Sequence, residues 1–214
     1  MPLAKASLPV VETFHSLQGE GFHSGRSAFF IRLAGCSVGC SWCDTKQSWS
    51  EQVHPDWALA DLAAAAAAAT TAGAAFVVIT GGEPLQHNLD QLCENLAALQ
   101  RPLHLETSGV EHLSGRFDWI TLSPKRHRPP LGELLAACDE LKLVVHDQAD
   151  LSFASSMARA AQAAQQASGR LRSPQLLLQP GWDSRKGQEL AVDFVRRQPD
   201  WRLSLQSHKW LGLR

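Results

Sequence analysis

The sequence has almost no net charge, no long hydrophobic run, and no fourth cysteine beside the three that crowd together near residue 40. Each absence removes a class of function. A formal charge of −1 over 214 residues leaves no global field to draw in nucleic acid or an anionic membrane surface. The opening MPLAKASLPVVETF lacks the apolar region of a signal peptide, and no run approaches the roughly 20 apolar residues of a membrane span. No internal repeat recurs and no linker is long enough to divide the chain, so a single domain over 1–214 is expected. Five cysteines, three of them too close together for a disulfide framework, point to a reducing, cytoplasmic setting.

Several short apolar runs are present, at 29–35, 75–82, 102–109, 118–125, 140–146, 175–181 and 201–209. Helix-like segments lie between most of them, at 55–72, 88–100, 131–138, 148–168 and 186–198. Two of these, around Ala63–Ala69 and at 158–167, are alanine-rich and read as outer helices, alanine being the best helix former. Such alternation predicts right-handed crossovers and an α/β fold: an incomplete TIM-like barrel of six to seven mostly parallel strands. Nearly every run ends in a polar cluster (the cysteines, TGGEP, ETSG, SPK, HD, QPGWDS, QSHK). In a parallel α/β sheet those ends share the face on which active sites are built. Turn chemistry alone accounts for ETSG and for His146-Asp147. It accounts poorly for the cysteines, TGGEP and SPK together.

The cysteines stand in GCSVGCSWCD as C-x3-C-x2-C: Cys36, Cys40 and Cys43. Four thiolates would close a structural site and two would suggest a redox pair. Three suggest a metal centre with one corner open. Thiolates select zinc or iron–sulfur centres, and a 4Fe-4S cubane has four irons that each take one external ligand. Gly35 and Gly39 let the backbone bend closely around such a cluster. Zinc held by the triad and a histidine is the alternative, although no histidine partner stands nearby. Cys93 and Cys138 sit in apolar helical patterns and read as small core residues.

With Trp42 just before its last cysteine, and TGGEP following one βα unit later at 80–84, this loop resembles that of the radical S-adenosylmethionine superfamily. There the open iron is chelated by the amino and carboxylate groups of S-adenosylmethionine. Further stretches narrow the likeness: ETFHSLQGEGFHSGRSAFFIRLAGC at 12–36, CDTKQSW at 43–49, SPK at 123–125 and the closing LQSHKWLGLR. Spread over essentially the whole chain, these resemble the 7-carboxy-7-deazaguanine synthase family, in the form with a short spacing between the first two cysteines. The resemblance implies a carbon–nitrogen lyase that contracts the ring of 6-carboxy-5,6,7,8-tetrahydropterin with loss of ammonia, on the route to 7-deazapurines such as queuosine. It also implies one 4Fe-4S cluster, S-adenosylmethionine and magnesium as cofactors. A homodimer and a flavodoxin- or ferredoxin-type electron donor are implied as partners, with no direct nucleic acid or membrane.

The same resemblance assigns residues. Cys36, Cys40 and Cys43 would hold the cluster and Thr45 the magnesium. Without the resemblance Thr45 reads as a helix cap and Asp44 as the better ligand. S-adenosylmethionine would be met by Trp42, Cys43, Asp44, Gly82, Glu83, Ser123, Pro124, Lys125, Gln179, Pro180, Gly181 and Trp182. The substrate would be met by Leu17, Gln18, Gly19, Arg32, Thr80 and Arg214, with Glu20, Arg32 and His208 as catalytic candidates. Arg32 suits a carboxylate bidentately, and its plainer reading is a strand residue in a surface ion pair. Two rival functions stay open: a glycyl-radical activase, against which QGEG and SPK argue, and a metal-stabilised binding module. Colour after anaerobic purification separates the module from both enzymes.

Overall fold

Buried runs of β-branched and aromatic residues need cover on both faces, which is why they pair in parallel with helices between them. A computed structural model describes residues 6–170 and 172–214, and these form two compact units.

The first unit holds the described residues up to Leu17 together with Arg26–Thr107 and Glu111–Trp119. Its strands are β1 (Ser7–Leu17), β2 (Ser27–Leu33), β3 (Asp56–Ala58), β4 (Phe76–Gly81) and β5 (Leu103–Thr107), with helices α1 (Leu59–Thr71) and α2 (Asp90–Ala97). The centre is parallel: Phe30 pairs with Val78 and Val78 with His104. Ala28, Phe30, Phe76 and Val78 form a buried cluster there, against which Phe14 packs. The alanine-rich α1 buries Leu59, Leu62, Ala66 and Ala69, one stripe at helical spacing. Two strands were not foreseen. β1 runs antiparallel to β2 and β3 antiparallel to β1. β1 contains Pro9 and leaves most of its second half partly exposed, so it lacks the continuous apolar signature that marks a doubly covered strand. β3 occupies the first residues of the segment expected to be helical from 55.

The second unit holds Gln18–Gly25, Ser108–Val110 and Ile120–Arg214. Its strands β6 (Trp119–Leu122), β7 (Glu140–Val145), β8 (Gln175–Pro180) and β9 (Trp201–Leu203) are all parallel where paired, and helices α3 (Gly132–Ala137), α4 (Gln148–Ala167) and α5 (Arg185–Arg197) lie between them in sequence. α4 starts on a capping box. Asp147 accepts from Asp150 N at 3.1 Å, and Asp150 accepts from Asp147 N at 3.1 Å. The mostly parallel α/β architecture expected from the sequence is present in both units. One boundary is corrected: the strand expected over 201–209 stops at Leu203, and Ser207–Leu211 form a short helix, α6. The Ser207 N–H and hydroxyl both donate to Gly19 O at 2.9 Å, which ends the extended run.

Candidate active site

In the first unit β2 leads directly into the cysteine loop. Gly35 and Gly39 turn that loop in the left-handed region, with φ of +103° and +71°. One side of the loop is tied by Gly35 N to Ser48 O at 2.8 Å and Cys36 N to Trp49 O at 3.2 Å. The segment after β4 ties the other side. Gly82 N donates to Leu33 O at 3.0 Å and Glu83 N to Gly35 O at 2.8 Å. Ser37 N donates to Gln86 Oε1 at 3.1 Å, and His87 Nε2 donates to Ala34 O at 2.7 Å. TGGEP and the cysteine loop are therefore one hydrogen-bonded assembly. Its two glycines are sterically required: a Cβ on Gly82 would lie 2.3 Å from Gly35 O and 2.9 Å from the Cβ of Cys36, and one on Gly81 would lie 2.1 Å from Leu33 O.

Burial raises the Cys36 thiol, with smaller upward contributions from the charges of Glu83 and Cys43, while N–H groups of Val38 and Gly39 work against them. Without metal this thiol keeps its proton, so metal binding must release it. Thr45 stands beside the third cysteine: its N–H donates to Cys43 Sγ at 3.4 Å and its hydroxyl lies 3.6 Å from the same sulfur. Among the described residues, no three His, Cys, Asp or Glu side chains converge on one point as the shell of a single ion. A cubane needs no such convergence, because each thiolate meets its own iron and the sulfurs stay apart. Three thiols on one glycine-turned loop fit that requirement. Cys93 and Cys138 are buried, as expected of core residues.

The other candidates in this unit are already engaged. Glu83 is 1% exposed, and its Oε1 accepts from Leu85 N at 3.2 Å and Thr107 Oγ1 at 2.5 Å. Arg32 and Thr80 are register partners on β2 and β4. Thr80 Oγ1 donates to Glu106 Oε2 at 2.8 Å, and Arg32 Nε donates to Glu12 Oε1 at 3.1 Å beneath the Phe14 ring. ETSG is thus more than a bland turn, since Glu106 and Thr107 anchor Thr80 and Glu83. Leu17 ends β1, half-exposed, and Trp42 and Asp44 lie exposed on the cysteine loop.

In the second unit the QGEG loop is held at many points. Gln18 Oε1 accepts from Glu20 N at 3.1 Å, Gly21 N donates to Ser204 Oγ at 2.9 Å, and Phe22 N donates to Glu140 Oε2 at 3.1 Å. Gly19 lies against the His208 ring, where a Cβ would come within 2.1 Å of Nδ1. Glu20 forms an ion pair with Lys142 and accepts from Gln206 Nε2 at 2.9 Å. Burial alone would raise the Glu20 carboxyl. The Lys142 charge and hydrogen bonds from Lys142, Gln206 and Gln179 overcome that and bring it down to about 2. Gln179 also accepts from Ser204 Oγ at 2.9 Å. The structure thus gathers Gln18, Gly19, Glu20, Gln179 and His208. Elsewhere in this unit Lys125 Nζ donates to Ser123 Oγ at 2.8 Å across Pro124. After Pro180, Gly181 packs on the His146 ring, so that residue too does more than turn the chain. Trp182 is half-exposed, with Lys209 over its ring and Trp210 edge-on at 6.2 Å. Arg214 is exposed at the C-terminal end.

Sequence reasoning missed Lys142, Glu140, Ser204, Gln206, Gln86 and His87. A signal existed for two of them. In ELKLVV the charges at 140 and 142 are two apart, hence on one face of an otherwise apolar strand. Gln86 and His87 carried none.

A family model described as "4Fe-4S single cluster domain" matches residues 17–146. Over 96% of this chain and 98% of its own length, the 7-carboxy-7-deazaguanine synthase of Prochlorococcus marinus is 51% identical. That of Synechocystis sp. is 44% identical over 99% of this chain and 96% of its own. Among solved structures, the crystal structure of QueE from Escherichia coli superposes with a TM-score of 0.75 at 30% identity, covering 94% of this chain and 95% of that one.

Proposed function

The chain belongs to the 7-carboxy-7-deazaguanine synthase family, and from that premise we propose that it converts 6-carboxy-5,6,7,8-tetrahydropterin into 7-carboxy-7-deazaguanine as a carbon–nitrogen lyase on the route to 7-deazapurines such as queuosine. The observation that carries this reading is the assembly of the cysteine loop with TGGEP, in which Glu83 donates its backbone N–H to Gly35 of that loop and Gly82 donates to Leu33 at the end of the strand leading into it. When bound, a 4Fe-4S cluster on Cys36, Cys40 and Cys43 and the S-adenosylmethionine on its open iron supply the one-electron chemistry that starts the ring contraction. Trp42, Asp44, Gly82, Glu83, Ser123–Lys125 and Gln179–Trp182 are the proposed S-adenosylmethionine contacts.

The chain's own residues supply recognition and order. Gln18 with the backbone of Leu17 and Gly19 faces the polar edge of the pterin. Glu20, held ionised, accepts from its N–H groups. Arg32 takes the carboxylate by exchanging its Glu12 partner, with Thr80 beside it and Arg214 closing from the C-terminus. His208 is the proposed proton-handling group, and Thr45 contributes a hydroxyl to magnesium. The whole chain serves as one domain, in a cytoplasmic homodimer reduced by a flavodoxin- or ferredoxin-type donor. Light scattering on a sizing column tests the dimer, and a strictly monomeric mass refutes it.

The deciding experiment is anaerobic turnover of carboxytetrahydropterin deuterated at carbon 6. Many products per S-adenosylmethionine are expected, with deuterium in the recovered cofactor. One 5′-deoxyadenosine released per product would overturn that use of the cofactor, and equal rates in magnesium and in chelator would remove the Thr45 ion.

A further inference from the structure

We propose that Lys142 is a positioning residue for the substrate-facing carboxylate of Glu20, and that with Glu140 it makes β7 the template on which the 18–25 loop is set. The proposal rests on the reading of Glu20 as a substrate ligand given above.

Lys142 and Glu140 share one face of β7, and both reach the same loop. The Lys142 ammonium meets Glu20 Oε2, and Glu140 Oε2 accepts from Phe22 N at 3.1 Å. The loop lies close to that strand at Gly21, where a Cβ would fall 2.3 Å from Glu140 Oε1. The side chains of Lys142 and Glu20 are 7% and 19% exposed. Charges so withdrawn from water persist only when paired. Without the ammonium, burial pushes this carboxyl upward, and protonation would put a donor on one of its oxygens, mismatched with the N–H edge of a pterin. Lys142 and Gln206 hold different oxygens of the carboxylate, fixing its plane as well as its charge. The groups around Glu20 are Lys142 and Glu140 from β7, Gln179 from β8, Ser204 after β9, and Gln206 and His208 at α6. Among these described groups, Lys142 is the one that forms an ion pair with the carboxylate.

The test uses the full-length, cluster-loaded enzyme and follows KM for the carboxytetrahydropterin and kcat from about pH 5.5 to 9. Lys142→Met is expected to raise KM tenfold or more at the acid end. That loss should shrink as pH rises through a new titration above the usual carboxylate range, while kcat changes less than KM. Lys142→Arg, which keeps the charge, should restore a flat profile within a few-fold of the parent. Iron content and S-adenosylmethionine binding should match the parent in both. A parental, pH-flat KM in Lys142→Met overturns the proposal, and so does a loss uniform across pH that Lys142→Arg fails to rescue. If Lys142→Met does not fold, the double variant Glu20→Gln/Lys142→Met removes both buried charges together. Acting only through Glu20, Lys142 should add nothing to the KM of Glu20→Gln alone, and a further tenfold loss in the double overturns the proposal. A Glu20→Gln variant with parental KM refutes the ligand role of Glu20 itself, which separates that failure from the failure of Lys142.

Discussion

Gly82→Ala adds one methyl group at the point where the two motifs of the first unit meet, and its effect follows from the geometry. The new Cβ would lie 2.3 Å from Gly35 O, 2.8 Å from Gly35 C and 2.9 Å from the Cβ of Cys36. Comfortable contact is about 3.5 Å, so the Gly35–Cys36 backbone must retreat by roughly 1 Å. Neither side yields easily, because Gly35 O accepts from Glu83 N and Gly35 N donates to Ser48 O. Overpacking of this kind costs about 1–3 kcal/mol, which in a chain of this length lowers Tm by roughly 2–12 °C. The displaced atom carries the thiol proposed as the first cluster ligand, and misplacement by about 1 Å can reduce turnover on the order of a hundredfold. Gly39→Ala is the matched control. Its φ of +71° makes alanine strained there, but nothing lies within 4 Å of the added Cβ. Iron per chain after anaerobic reconstitution, and Tm before it, should both fall further for Gly82→Ala than for Gly39→Ala. Full iron and an unchanged Tm in Gly82→Ala would refute the reasoning.

Alanine at Cys36, Cys40 or Cys43 should abolish cluster loading, whereas Cys93→Ala and Cys138→Ala should retain it; iron loss from Cys93→Ala would defeat the open-corner argument. Burial pushes Cys93 up to about 11 and Cys138 to about 12, so iodoacetamide at pH 8 should label the part-exposed Cys36 and Cys43 of the metal-free chain well before either. Equal labelling rates would contradict that. The Glu20 carboxyl, at about 2 against an ordinary 4.5, stabilises the fold above pH 4.5, and that contribution is lost as pH falls toward 2. It is on the order of 3 kcal/mol, so Glu20→Gln should flatten the acid limb of Tm against pH. An acid limb identical to the parent's would show that the Lys142 pair does not carry it.

Local chemistry was legible in the residues. Three cysteines at x3 and x2 spacing, a Gly-Gly pair and alternating apolar runs each carry their meaning within a few positions. Helices α1 to α5 accordingly lie within the expected segments or one residue outside them. β1 was missed because a strand paired in antiparallel fashion, with much of its second half partly exposed, shows only a weak period-two pattern broken by Pro9. α6 was missed because Ser207 is bound to Gly19, which lies 188 positions away in sequence. No local window can report such a partner.

The sequence by itself determined the cysteine loop, the glycines at which it bends, and the alternation that builds a mostly parallel α/β chain. Those are properties of residue type, spacing and backbone sterics. Tertiary structure alone decided that Glu20 meets Lys142 across 122 residues, that Glu106 and Thr107 hold Thr80 and Glu83, and that His87 grips the carbonyl before the cysteine loop. Each of these depends on strand register, and a shift of one residue would turn Lys142 to the other face of β7.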